Sequence, residues 1–264
     1  MVTKLLALTT LAVATDVFFF GTTWAVGPWS IFGYAYSVRE GLNPNSWAIA
    51  LSSTCPDTSI NCLVDGALAY SGVNFNSAGG KLSFRRIYQL STSYKITEWD
   101  CGGGSPRFAI GIDTDGDRKV NGHVFVYIGS PPSFTGCRIG VWEHTGNLID
   151  SKDSDARFDI GQLIKQTPYL SYKDALAALG DLADQPVLYV MLVVDGGWQT
   201  DQLILVDNVK VNNFKLTAKD YGEKSIKPNS RQAAFRPGQG VRGLVPGSTP
   251  EGQPRMRSVV RESW

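Results

Sequence analysis

A chain of 264 residues with 43% apolar and 19% charged positions can bury one full core and leave residues over for terminal extensions. The formal net charge of +1, and the lack of any run of about 18 uninterrupted apolar residues, exclude a strongly polyanion-seeking protein and a membrane-spanning anchor. The 28 glycines, 10 tyrosines and 7 tryptophans, with many short alternating runs and one good helical stretch, predict an all-β chain. The expected architecture is a jelly-roll-like antiparallel β-sandwich with one short helix and a disordered C-terminal tail.

At the N-terminus Lys4 precedes L-L-A-L-T-T-L-A-V-A, and Ala12-Val13-Ala14 has the small-x-small pattern of a signal cleavage site. The protein is therefore expected to be secreted or held at the cell surface. Asp16 ends that short apolar region before V-F-F-F-G-T-T-W-A-V-G, so cleavage after Ala25 or Ala35 stays open. Residues 1–44 are set apart as a signal-like, apolar segment. The aromatic stretch from Val17 to Tyr36 is alternatively a retained strand or an arm for self-assembly.

The sandwich is expected over residues 45–214. Trp47 to Ser52, Ala67 to Phe75, Lys81 to Leu90 and Tyr94 to Trp99 read as strands, with N-S-A-G-G (Asn76 to Gly80) as a turn. Three glycines at 102–104 permit a tight backbone path, and no helix follows them to make an anion site.

Next comes the most chemically specific feature. Phe108, Ile110 and Ile112 share one face of a strand, His123 to Ile128 alternates again, and between them lies D-T-D-G-D-R-K-V-N. Asp113, Asp115 and Asp117 place carboxylates at positions 1, 3 and 5 of a turning backbone, as a calcium ion's oxygen shell requires. The Lys119 carbonyl and the Asn121 side chain extend the set. Val124 stands where an EF-hand has its bidentate Glu, so further ligands must come from elsewhere, with Asp153, Asp155, Asp195 and Asp207 as donors. The competing reading is a solvated acidic turn, since Asp and Gly favour turns without any metal.

Cys55, Cys62, Cys101 and Cys137 show no C-x-x-C spacing, so disulfides are favoured over zinc. A 107–128 hairpin brings residues just before its first strand and just after its second side by side, pairing Cys101 with Cys137. Cys55 and Cys62 then close a short local loop. Four free thiols in a reducing compartment are the alternative.

Beyond the hairpin, Ser171 caps a helix over Tyr172 to Leu179 that Gly180 stops. V-L-Y-V-M-L-V-V (187–194) and L-I-L-V-D-N-V-K-V (203–211) are apolar enough to be buried on both faces. Asp207 is an anomaly in such a strand and needs either a cation or hydrogen-bond donors. Residues 215–264 hold ten Lys/Arg against four Asp/Glu and are rich in Pro and Gly, with no alternation to build a core. Without aromatic interleaving that charge is modest, and nucleic acid is not an expected partner.

The succession D-C-G-G-G-S-P-R-F (100–108), D-T-D-G-D, V-F-V-Y-I-G (124–129), T-G-N-L-I (145–149), L-V-V-D-G-G-W (192–198) and L-V-D-N-V-x-V-N (205–212) resembles an uncharacterised group of secreted bacterial proteins. The likeness runs from about Ala67 to Asn212 and implies a secreted β-sandwich without assigning chemistry. The closing D-N-V strand is also similar to that of jelly-roll carbohydrate-binding modules.

No G-x-S-x-G, H-E-x-x-H or Walker A pattern occurs, and His123 and His144 fall in no nucleophile or ligand constellation. The expected function is non-catalytic binding of a polysaccharide or cell-surface glycan, with calcium as a structural ion and Trp99, Trp142 and Trp198 stacking on sugar rings; each indole is equally a core candidate. The alternatives are a subunit of an extracellular surface layer or filament, and a jelly-roll glycoside hydrolase using a pair among Glu98, Asp100, Glu143, Asp150 and Asp195.

Overall fold

The alternating segments fold as strands because every second side chain finds an apolar partner across a sandwich. The computed structural model describes residues 25–26, 28–53, 70–77, 81–102, 104–152, 155–165, 169–195 and 202–221. In chain order the strands are β1 (Ala25–Val26), β2 (Trp29–Gly33), β3 (Ala35–Val38), β4 (Ala48–Ser52), β5 (Tyr70–Asn76), β6 (Leu90–Glu98) and β7 (Arg107–Ile112). There follow β8 (Gly122–Tyr127), β9 (Glu143–His144), β10 (Phe158–Asp159), the helix α1 (Tyr172–Leu179), β11 (Val187–Asp195), β12 (Leu203–Val211) and β13 (Phe214–Leu216). Sheet A runs β1-β2-β5-β11-β7-β8-β10, and sheet B runs β3-β4-β12-β6-β9 with β13 paired to β12. Each of these strand pairings is antiparallel.

The two inner faces close on one core. From sheet A come Phe75, Phe108, Ile110, Val124, Leu192 and Val194; from sheet B come Ile49, Leu51, Ile96, Ile204 and Val206. β11 and β12 take central places in their sheets, as their near-continuous apolar sequence predicts.

Two expectations change. Residues 29–38, assigned to the N-terminal segment, supply β2 and β3, with Trp29 buried in the core and its ring tilted against that of Phe75 at 5.0 Å. This part of the Val17–Tyr36 stretch is strand, while residues 17–24 lie outside the described residues. The Lys81–Leu90 segment is not one strand either. Phe84–Arg86 form a 3-10 turn, and β6 starts only at Leu90. The reason is tertiary: the Tyr172 hydroxyl of α1 lies 2.8 Å from the carbonyls of both Phe84 and Ile87, and its ring meets the Phe84 ring edge-on at 5.1 Å. Burial pushes that phenol up to about 12. The helix itself follows its sequence signals, with Ser171 Oγ accepting the Asp174 N–H at 3.2 Å and Gly180 at φ +54° beyond its last turn.

Cys101 and Cys137 are bonded across the base of the β7–β8 hairpin, with their Cα atoms 5.6 Å apart. Asp100 supports the junction: its carboxylate accepts the N–H groups of Cys101 at 2.7 Å and of Gly136 and Cys137 at 3.0 Å. Cys55, Cys62 and the basic tail from residue 222 lie outside the described residues. Replacing both partners, Cys101→Ala with Cys137→Ala, should lower the free energy of unfolding by about 2–4 kcal/mol, since the bridge closes a loop of 36 residues. Urea unfolding without reductant measures it, and an unchanged midpoint would show that the cross-link constrains nothing in the unfolded chain.

Candidate functional site

The outer face of sheet B is built from the alternate residues of its strands. Register places Tyr36 beside Ala50, Ala50 beside Leu205, and Leu205 beside Lys95. Ala48, Ala50 and Leu205 are buried although they face away from the main core, and Tyr36, Val38, Trp142 and Leu203 pack against this small cluster. Tyr36 and Trp142 are half-buried, which leaves part of each ring in solvent.

Polar groups border these rings. At the end of β6 the register shifts between Leu203 and Ile204, bringing Glu98 opposite Leu203. Its charge reaches Tyr36: burial first, then Tyr34, Glu98 and Glu40, raise that phenol above its usual range. Tyr34 meets Tyr36 edge-on at 5.6 Å, Lys95 lies 3.9 Å from Glu40, and the Thr97 hydroxyl donates to the Leu203 carbonyl at 2.9 Å. Trp99, directly after Glu98, is 59% exposed.

Sheet A differs, for its outer face is closed over β7, β8 and β11. Ala109, Phe125, Tyr127, Phe134, Met191 and Val193 form a second buried cluster there, joined by Phe32, Tyr169 and Tyr189. Glycine makes this packing fit: a Cβ on Gly72 would fall 2.4 Å from the Leu192 carbonyl and 2.7 Å from the Phe32 ring. Arg107 crosses this layer and donates to Asp195 at 2.6 Å, with both side chains almost fully buried. Its guanidinium also bonds the Gly104 carbonyl and lies 4.7 Å from the Phe125 ring centroid. His123 stacks on Phe125, with Nδ1 2.9 Å from Gln162 Oε1 and Nε2 2.8 Å from the Tyr189 hydroxyl. Burial drives its pKa down to about 4, a shift that Gln162 opposes and the Arg107 charge reinforces.

The acidic loop connects β7 to β8. One oxygen from each of Asp113, Asp115 and Asp117 lies within 4.8 Å of the others. Asp113 is buried and accepts the N–H groups of Gly116 at 2.7 Å and Arg118 at 2.9 Å, which folds the loop around it. Asn121 Oδ1 accepts the Thr114 N–H at 2.6 Å, and its Nδ2 donates to Asp115 at 3.1 Å. Lys119 Nζ reaches Asp117 at 2.9 Å, and their hydrogen bond lowers the pKa of the carboxyl and raises that of the amine.

Several expected donors are engaged elsewhere. Asp207 lies in sheet B, away from the loop, and its Oδ1 accepts the N–H groups of Asn208 at 2.7 Å and Ala218 at 3.1 Å, so it takes the hydrogen-bonded alternative to a metal. Asp155 pairs with Arg157, and Asp195 with Arg107. The carboxylates weighed for hydrolysis lie on several elements. Glu143 accepts the Tyr94 hydroxyl at 3.0 Å and Arg138 at 2.7 Å, Asp150 bonds Asn147, and Glu98 and Asp195 belong to opposite sheets. Trp198 and Asp153 lie outside the described residues. Tyr34, Tyr36, Lys95 and the Arg107–Asp195 pair escaped sequence reasoning, because their roles depend on which strands become neighbours.

No protein-family model matches the chain, and no curated protein sequence matches it. Among solved structures it is similar to the xyloglucanase domain of NopAA, a type three effector from Sinorhizobium fredii, determined in complex with cellobiose. The match has a TM-score of 0.33 and 14% sequence identity, and covers 74% of this chain and 96% of that one. A likeness so loose carries no inference about activity.

The buried imidazole gives this region an acid signature. Its folded pKa, about 4, lies below the unfolded value of about 6.5, so its contribution to stability is complete above pH 6.5 and is lost as the pH falls toward 4. Chemical unfolding at a series of pH values should show this component, about 3 kcal/mol in all, and His123→Gln should remove it. Identical pH profiles for the two proteins would contradict the burial argument.

Proposed function

We propose that the protein is a secreted, non-catalytic carbohydrate-binding sandwich whose glycan lies across the outer face of sheet B. The observation that carries this reading is the pair of half-buried rings, Tyr36 and Trp142, packed against the small outer cluster of Ala48, Ala50 and Leu205 and bordered by Lys95 and Glu98. A sugar ring offers an apolar C–H face and an equatorial set of hydroxyls. The aromatic surface suits the first, and the ammonium and carboxylate at its edge suit the second. Trp99 extends the aromatic surface at the end of β6. The Cys101–Cys137 bridge supports an oxidising, extracellular setting.

Calcium belongs to the same proposal as a structural ion. Oxygens bound at about 2.4 Å from one ion stand no more than about 4.8 Å apart, and those of Asp113, Asp115 and Asp117 meet that limit. The three carboxylates would hold the ion, with the Lys119 carbonyl and Asn121 at the margin of the loop. The ion would supply charge neutralisation and no chemistry.

Affinity electrophoresis through a panel of soluble polysaccharides should retard the protein in at least one gel. Trp142→Ala and Tyr36→Ala should each weaken that binding about tenfold or more, as expected for aromatic anchors, with melting temperatures within a few degrees of the parent. No retardation in any gel, or full binding by both variants, would sink the reading. For the loop, millimolar calcium added after chelation should raise the melting temperature of the parent and leave Asp113→Ala/Asp115→Ala unmoved. Equal curves with and without calcium would reject the ion.

A further inference from the structure

We infer that the end of the sandwich opposite the hairpin's disulfide carries a second ligand site, for a small amphipathic carboxylate with its hydrocarbon tail between the sheets and its head at Lys81. At that end β5 of sheet A and β12 of sheet B reach their last residues, and a cavity of about 380 Å³ opens between them. Its floor is the core itself, for Phe75 and Val211 are both buried members of the main apolar cluster. Leu82 and Pro28 form the walls, and Phe214 stands at the mouth, 52% exposed with its ring 5.2 Å from that of Phe75. The size falls within the range of small-ligand sites, and the lining is largely apolar.

The rim selects the head group. Its neutral polar side chains are already committed. Asn212 Oδ1 accepts the Tyr88 N–H at 2.9 Å and its Nδ2 donates to the Arg86 carbonyl at 2.9 Å. Asn76 Oδ1 accepts from Asn74 at 3.0 Å, and the Ser77 hydroxyl donates to the Val187 carbonyl. Lys81 is different: it is exposed and forms no ion pair among the described residues. Arg86 does not line the cavity, but its Nη1 lies 3.4 Å from the Lys81 carbonyl, which brings a second positive charge near that rim, and it forms no ion pair among the described residues. One cation on the rim of an apolar cavity, with a second close by, fits one negative charge on an apolar body. A neutral glycan would leave Phe214 and the floor poorly matched, so this site is separate from the sheet B platform in both place and chemistry.

Titration calorimetry on the full chain, with decanoate, decanol and decyltrimethylammonium below their micelle concentrations, tests the inference. Decanoate should bind tightest and the cation weakest. Phe214→Ala should weaken decanoate about tenfold, in keeping with loss of an aromatic anchor. Lys81→Ala should bring decanoate down toward decanol, by up to about fivefold, the range of an exposed ion pair. Lys81→Glu/Arg86→Glu should reverse the order of decanoate and the cation. Heat from none of the three ligands, or Phe214→Ala binding as the parent does, would overturn the site. Equal affinity for decanoate and decanol in the parent would overturn its preference for a carboxylate.

Discussion

The middle of sheet A, where β11, β7 and β8 lie side by side, is buried on both faces, and that constraint organises the molecule. β11 runs through its middle with Val190, Leu192 and Val194 turned to the main core and Met191 and Val193 to the second cluster. A strand in that position has no solvated side, so any charge that β7 or β11 carries must find a partner within the protein. Arg107 and Asp195 meet this demand together. Removing either one alone would strand a buried charge, whereas the intact pair is nearly neutral in its effect on stability. The same rule keeps His123 uncharged and places its two ring nitrogens against Gln162 and Tyr189.

Sheet B solves its outer face differently. Its apolar patch is small, with alanines where sheet A has bulky side chains, and the rings that cover it keep part of their surface in water. Under the proposed reading, this asymmetry favours sheet B as the glycan face. An interaction surface needs apolar area that is held rigid yet still accessible, and half-buried rings packed against a small apolar cluster satisfy both conditions. A closed aromatic layer such as that on sheet A satisfies only the first.

The hairpin of β7 and β8 links these demands to the acidic loop. Its base is fixed by the disulfide and by the three N–H groups that Asp100 accepts, while its strands are held by the two apolar clusters on either side. The loop at its far end is ordered from within, through the amides gathered by the buried Asp113 carboxylate. Position 1 of the acidic repeat therefore shapes the backbone, and positions 3 and 5 remain nearer to solvent.

Much of this was legible in the chain because period-two alternation and cap residues are local. β7, β8, β11, β12 and the helix α1 follow their apolar patterns and the Ser171 and Gly180 signals, and the hairpin geometry fixes the Cys101–Cys137 partnership. Other elements were not legible. Trp29 to Val38 has the composition of an export segment and becomes strand only because β5 and β4 offer edges to pair with. Phe84 to Ile87 has strand alternation and becomes a turn because the Tyr172 hydroxyl meets its carbonyls from the far side of the sequence. Likewise Asp207 needs either a cation or hydrogen-bond donors by its sequence, and only the Ala218 amide beside it shows that donors are supplied. The sequence by itself determined the fold class, the main strands and the acidic loop, since those depend on neighbours a few residues away. Only the tertiary structure decided which outer face is closed and which is open, where the buried charges pair and where the core is left accessible, because each of these depends on side chains brought together from strands far apart in the chain.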